Sequence, residues 1–174
     1  MNTLQDSSAQ KNAPQEIERK FLVAQLPNLS DAKQSTIHQG YITHSDDSVE
    51  VRLRQKESDF YLTVKQGAGL IRTEVETTIV LEQFVTLWPL TIGSRIEKIR
   101  WTGNITNNLF YELDIFSGEL ESLQLVEVEF SSRESAEKFI IPAWFGKEVT
   151  EDKRFKNKSL AMNKVVIHEL LSEF

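Results

Sequence analysis

Residues two apart along a β-strand point to the same face, and in this chain such pairs are repeatedly charged. Glu16-Ile17-Glu18-Arg19-Lys20 sets the pattern near the start. As a strand it sends Glu16, Glu18 and Lys20 to one side, and Ile17, Arg19 and Phe21 to the other. The alternation returns in Val51-Arg52-Leu53-Arg54, Leu62-Thr63-Val64-Lys65 and Glu74-Val75-Glu76. It returns again in Lys98-Ile99-Arg100, Glu112-Leu113-Asp114 and Glu127-Val128-Glu129. Such segments fit an antiparallel sheet with one apolar and one charged face, in an α+β fold that is mainly antiparallel β.

Strands are expected over residues 16–23, 37–43, 49–54, 60–65, 72–79, 95–101, 109–116 and 125–130, about eight in all. Gly103-Asn104 and Asn107-Asn108 carry turn chemistry, so a loop is expected there. Residues 144–149 read as loop or a short strand. Helical spacing marks residues 81–88, stopped by Pro89, and residues 132–139. A C-terminal amphipathic helix is expected over residues 157–173, with Leu160, Ile167, Leu170, Leu171 and Phe174 on its apolar stripe. These three helices are expected to cover the apolar exterior of the sheet.

Acid rows and base rows on one face would repel and suffer desolvation if the sheet closed around an empty lumen. A ligand that brings its own anions together with divalent cations satisfies both, and a metal–polyphosphate complex has that composition. Carboxylates select hard cations such as Mg²⁺ or Mn²⁺. Arginine grips phosphate oxygens in pairs and lysine adds point charges. Two carboxylates spaced as Glu16 and Glu18 can converge on one such cation. His38, His44 and His168 are not needed for this chemistry and read as ordinary structural residues.

Other classes are excluded by composition. The 174 residues suit one domain, read as residues 15–174 behind a polar tail of residues 1–14. The net charge of −6 lacks the overall basic footprint of a nucleic-acid binder. There is no cysteine, so disulfides and thiolate metal sites are ruled out. No apolar run approaches the length of a membrane span, and the tail lacks the apolar core of a signal peptide. A cytoplasmic protein is expected, and a homodimer is left open.

The ordered set of motifs resembles the CYTH domain proteins, or triphosphate tunnel metalloenzymes, which include class IV adenylate cyclases and thiamine triphosphatases. The resemblance rests on Glu16-Ile17-Glu18-Arg19-Lys20, Gln39-Gly40-Tyr41-Ile42, Val51-Arg52-Leu53-Arg54, Leu62-Thr63-Val64-Lys65 and Arg72-Thr73-Glu74-Val75-Glu76. It continues through Lys98-Ile99-Arg100, Glu112-Leu113-Asp114-Ile115-Phe116, Glu127-Val128-Glu129-Phe130, and Glu148-Val149-Thr150 to Lys158-Ser159-Leu160-Ala161. It spans about residues 15–165.

The resemblance implies an eight-stranded antiparallel barrel closed into a tunnel, with flanking helices. It implies that Glu16, Glu18, Asp114, Glu127 and Glu129 hold divalent metal, with Glu74 and Glu76 lining the tunnel and one of them placing metal or the attacking water. It assigns the triphosphate to Arg52, Arg54, Lys65, Lys98 and Arg100, helped by Lys20. Arg154 and Lys158 would reach the tunnel mouth. A Lys20–Tyr41 pair is implied in catalysis, with Lys20 as a base if neighbouring cations depress it. Phe155 stands where relatives often have tyrosine.

The leading expectation is metal-dependent hydrolysis of inorganic triphosphate. The rivals are a nucleotide cyclase, a thiamine triphosphatase and a polyphosphate-binding module without catalysis. The thiamine reading would want an aromatic platform from Trp88, Trp101 or Trp144 near the tunnel mouth.

Overall fold

The computed structural model of the chain describes residues 17–66, 73–106, 108–163 and 165–174. The strands are β1 (Ile17–Val23), β2 (Lys33–Tyr41), β3 (Val49–Lys56), β4 (Asp59–Gln66), β5 (Thr73–Ile79), β6 (Arg95–Thr106), β7 (Leu109–Phe116), β8 (Gln124–Phe130) and β9 (Phe145–Glu148). Short helices are α1 (Leu81–Leu87), α2 (Arg133–Glu137), α3 (Asn157–Met162) and α4 (Ile167–Leu171). None is long and apolar enough to cross a membrane.

All described strands join one antiparallel sheet in the order β5-β4-β3-β2-β6-β7-β8-β1-β9. Register keeps the charged residues together. Arg52 lies opposite Thr63 and Thr63 opposite Glu76; Arg100 lies opposite Asp114; Glu18 lies opposite Glu129 and Lys20 opposite Glu127. Directly opposite residues share a face, so the period-two pattern carries over into a continuous charged surface.

The expected eight-stranded closed barrel is not what forms. Among the described residues the sheet has two ends, β5 and β9. The free edge of β1 is taken by the four-residue β9, with Phe21 opposite Glu148 and Val23 opposite Phe145. A strand edge accepts one partner, so β1 has no edge left to close on β5.

The helices are also arranged differently from expectation. The face opposite the charges packs Phe21, Tyr111, Leu113, Val126, Val128 and Phe130 against Ala136 of α2. Phe84 of α1 sits 4.8 Å, ring to ring, from Phe60 of β4, on that same face. The C-terminal segment instead lies over the charged side. Ile96, Phe116 and Leu125, each two residues from a charged neighbour on its own strand, bury against Val149, Phe155, Leu160, Ile167 and Leu170. One end of the charged face is therefore apolar and is plugged by the chain's own C-terminus. The single helix expected over residues 157–173 is two short ones, and the β-branched pair Val165-Val166 between them favours helix poorly.

Two local expectations change for identifiable reasons. β6 runs on through Gly103-Asn104, where a loop is expected, and ends only at Thr106. Gly103 serves close approach, since a Cβ there would collide with the Tyr111 ring across the ladder. Arg19, on the face away from the charges, is a bolt. Its guanidinium makes two hydrogen bonds to Glu148 of β9 (2.9 and 2.6 Å), donates to the Ala136 carbonyl (2.9 Å) and lies 5.1 Å over the Phe21 ring.

Phe155 has no exposed surface and anchors the plug. Phe155→Ala should cost about 3–5 kcal/mol of stability by urea denaturation. An unchanged midpoint would show that the C-terminal plug does not pack as described.

Candidate phosphate and metal site

The inner cluster is built from β6, β7, β8 and β1. Asp114 accepts from Lys98 Nζ (2.5 Å), from Arg100 Nε (2.6 Å) and from Arg100 Nη2 (2.6 Å), using both carboxylate oxygens. It is 1% exposed. Arg100 also reaches Glu112 and lies 3.3 Å from Glu127. Lys20 Nζ sits 2.7 Å from Glu127 and 4.0 Å from Glu18. The plug adds neutral acceptors: the Phe155 carbonyl to Lys20 and Asn157 Oδ1 to Lys98, each at 3.4 Å.

The outer cluster is built from β3, β4 and β5. Arg54 Nη2 pairs with both oxygens of Glu76 (2.8 and 3.0 Å), and Arg52 Nη2 approaches the same carboxylate at 3.3 Å. Lys65 Nζ pairs with Glu74 at 2.7 Å. Buried Thr63 bridges Arg52 and Glu76. The Nε atoms of Arg52 and Arg54 are buried without a hydrogen-bond partner among the described residues. An unpartnered buried guanidinium N–H is costly, and a phosphate oxygen is the acceptor an arginine edge fits.

Burial and charge set the protonation of these groups. Burial pulls the Lys98 ammonium below its ordinary range, with Arg100 adding to the effect against the pull of Asp114. For Lys20 burial acts the same way, but Glu127 and Glu18 outweigh it and hold it above the ordinary value. The expected depression of Lys20 by neighbouring cations is thus absent, because its neighbours are carboxylates. Burial would raise the Asp114, Glu127 and Glu76 carboxyls. Lys98 and Arg100 overcome this at Asp114, Lys20 at Glu127, and the Thr63 hydroxyl with Arg54 and Arg52 at Glu76, so all three lie below the ordinary carboxylate range.

Most of the residues singled out from sequence share this face, but several stand apart. Tyr41 is buried opposite Arg52 and its hydroxyl accepts from Gln39 Nε2 (2.7 Å). Burial raises the phenol well above its ordinary value, so it stays protonated. The described contacts of Lys20 and Tyr41 do not join them. Arg154 is turned to Asp152 and Glu173, away from the cation clusters. Lys158 is half-buried on α3. Glu129 is held opposite Glu18, whereas Glu16 and Arg72 lie outside the described residues. Trp101 and Trp144 pack on the apolar face, and Trp88 stacks on Phe84 beneath Arg95. Thr63, Gln39 and Asn157 join the site without having been singled out, and Glu112, read from sequence only as part of the acidic row, joins it through Arg100. Thr63 and Glu112 sit in phase with the charged residues of their strands, which was the available signal; Asn157 reaches Lys98 only through the plug.

The carboxylates suit a hard divalent cation by donor type. Glu18, Glu127 and Glu129 offer oxygens from adjacent strands, with Glu112 opposite Glu127. Among the described residues no three carboxylate or imidazole groups stand at metal-holding spacing. The inner carboxylates Asp114 and Glu127 are turned to lysine and arginine.

Residues 14–159 match the CYTH domain. The chain belongs to the CYTH domain family. It is 50% identical over 148 residues to an inorganic triphosphatase of Nitrosomonas europaea, covering 85% of this chain and 97% of that protein. An inorganic triphosphatase of Acetivibrio thermocellus is 37% identical over 150 residues, 85% of this chain and 94% of that protein. A crystal structure of an inorganic triphosphatase superposes with a TM-score of 0.71 at 48% identity, over 85% of this chain and 95% of that one. This CYTH chain therefore spans nearly the whole of these relatives.

Depressed carboxyls make the unfolded chain the better proton acceptor in acid. Their stabilisation is full above the unfolded carboxyl range of about pH 4 and is lost as pH falls through the lower folded values. The urea midpoint should hold from pH 7 to 5 and drop steeply below pH 4, with a shallower drop in Asp114→Asn. A midpoint independent of pH down to 3 would contradict the ion-pair network.

Proposed function

We propose that this protein hydrolyses inorganic triphosphate to diphosphate and phosphate with the help of Mg²⁺ or Mn²⁺. One observation carries the reading. Phosphate-type donors and hard-cation-type donors share one sheet face, in a chain half identical to an inorganic triphosphatase. The orphaned Nε atoms of Arg52 and Arg54 mark where an anion is wanted.

In this reading Arg52, Arg54, Lys65, Lys98, Arg100 and Lys20 bind the phosphate oxygens and neutralise charge that builds on the leaving diphosphate. Glu18, Glu127 and Glu129 hold the cation, with Glu16 two residues before Glu18 and Asp114, Glu74 and Glu76 as further oxygen donors. When bound, the cation supplies Lewis-acid charge neutralisation and lowers the pKa of a water. Lys20 acts as an ammonium, since Glu127 and Glu18 keep it protonated. Tyr41 acts as a neutral phenol beside Arg52. Lys158 lies at the start of α3, next to Asn157, which contacts Lys98, and Arg154 steadies the C-terminal segment through Glu173.

Without ligand, acids and bases serve as each other's counterions. A triphosphate alone strands the carboxylates, and a divalent cation alone strands the lysines and arginines. The two together replace both halves of each pair. The inorganic ester-free substrate is favoured over thiamine triphosphate because Trp88, Trp101 and Trp144 all pack away from the charged face.

Incubation with Mg²⁺ and, in parallel, triphosphate, ATP or thiamine triphosphate should release phosphate and diphosphate fastest from triphosphate. Glu18→Ala should lose at least ten-fold in metal-dependent rate. Cyclic AMP as the main product from ATP, or triphosphate bound without cleavage, would overturn the proposal.

A further inference from the structure

Thr63 sits among ions and carries no charge. It faces the charged side of β4, in phase with Lys65, yet none of its surface is exposed. Its cross-strand neighbours are Arg52 on one side and Glu76 on the other. Arg52 Nη2 donates to Thr63 Oγ1 at 3.1 Å, and Thr63 Oγ1 donates to Glu76 Oε2 at 2.7 Å. A hydroxyl has one proton and spare lone pairs, and here the proton is directed at the acid and a lone pair at the base.

Three features make this more than a well-formed strand threonine. The branched Cβ restricts χ1, so the hydroxyl is held in one direction. The opposite flank of Arg52 is also supported, because Tyr41 lies across from it with its hydroxyl fixed by Gln39. With Nη2 engaged by Thr63 and Glu76, the unpartnered Nε of Arg52 is left as a donor. Arg54 repeats the arrangement, with Nη2 on Glu76 and Nε unpartnered.

The geometry points to Thr63 as a positioning residue for triphosphate, one that aims the Arg52 guanidinium and holds Glu76 beside it through a single hydroxyl. This deepens the triphosphatase reading and rests on it. When Arg52 turns to a phosphate oxygen and Glu76 toward a cation, the Thr63 hydroxyl keeps both within reach of the same point. Preset donors lose less freedom on binding than swinging ones.

The test compares Thr63→Val, which keeps the shape without the hydroxyl, with Thr63→Ser, which keeps the hydroxyl. Calorimetric binding of a non-hydrolysable triphosphate analogue with Mg²⁺ is measured beside KM and kcat for triphosphate with Mg²⁺. Loss of a hydrogen bond to charged groups corresponds to roughly ten-fold or more in affinity. Thr63→Val should weaken triphosphate binding and raise KM by that factor, with kcat falling less, while Thr63→Ser stays within about two-fold of wild type on the same scale. Equal binding by the valine variant and wild type overturns the inference, as does a serine variant as weak as the valine one. If a lowered melting temperature shows that Thr63→Val folds poorly, Thr63→Ala against Thr63→Ser isolates the hydroxyl in its place. A wild-type protein that neither binds nor cleaves triphosphate would instead overturn the functional reading, and the positioning role with it.

Discussion

Asp114 receives Lys98 and Arg100 on two oxygens at 2.5–2.6 Å, almost wholly out of water. A buried carboxylate survives as an ion only with such partners, since desolvation costs several kcal/mol per ion. The dependence runs both ways. Lys98 is also buried and has no other carboxylate among its described salt bridges, while Arg100 keeps Glu112 and Glu127. Glu127 extends the cluster to Lys20, so four adjacent strands, β6, β7, β8 and β1, must keep one register for any of the charges to be satisfied. A one-residue slip would turn every one of these ions into the apolar core on the other face.

The same constraint shapes both charge clusters. Each cluster pairs acids with bases, the inner one around Asp114 and Glu127 and the outer one, with three cations to two acids, around Glu74 and Glu76. The outer cluster is the more open, and it alone among the described residues leaves buried arginine donors unpartnered. The inner cluster is tighter and is roofed by the plug, whose Phe155 carbonyl and Asn157 amide oxygen touch its two lysines.

The residues that sequence reasoning placed on one face are those whose strand phase is unambiguous. Arg52, Arg54, Lys65, Lys98, Arg100, Asp114 and Glu127 recur at every second position of strands whose intervening residues are mostly apolar, and period two leaves them one side to occupy. Arg154 lay beyond the reach of that logic. It follows a short strand and a turn, so its direction is set by whichever acids lie nearby, and Asp152 and Glu173 claim it. Tyr41 has the right phase, but phase does not say how far a ring reaches, and burial beside Gln39 decided its partner. Thr63 was in phase as well, but a neutral residue gave no charge signal.

The sequence by itself determined the antiparallel sheet, its charged face and the chemistry that face can perform, because side-chain alternation is a local property of a strand. It also carried the motifs that place the chain in the CYTH family. Only the tertiary structure decided that the sheet stays open, because β9 takes the edge of β1. It likewise decided that the C-terminal helices plug the charged side, because Ile96, Phe116 and Leu125 put an apolar floor there. It decided, too, which acid neutralises which base. Edges, floors and ion partners are set by residues far apart in the chain, and a local pattern holds no record of distances between them.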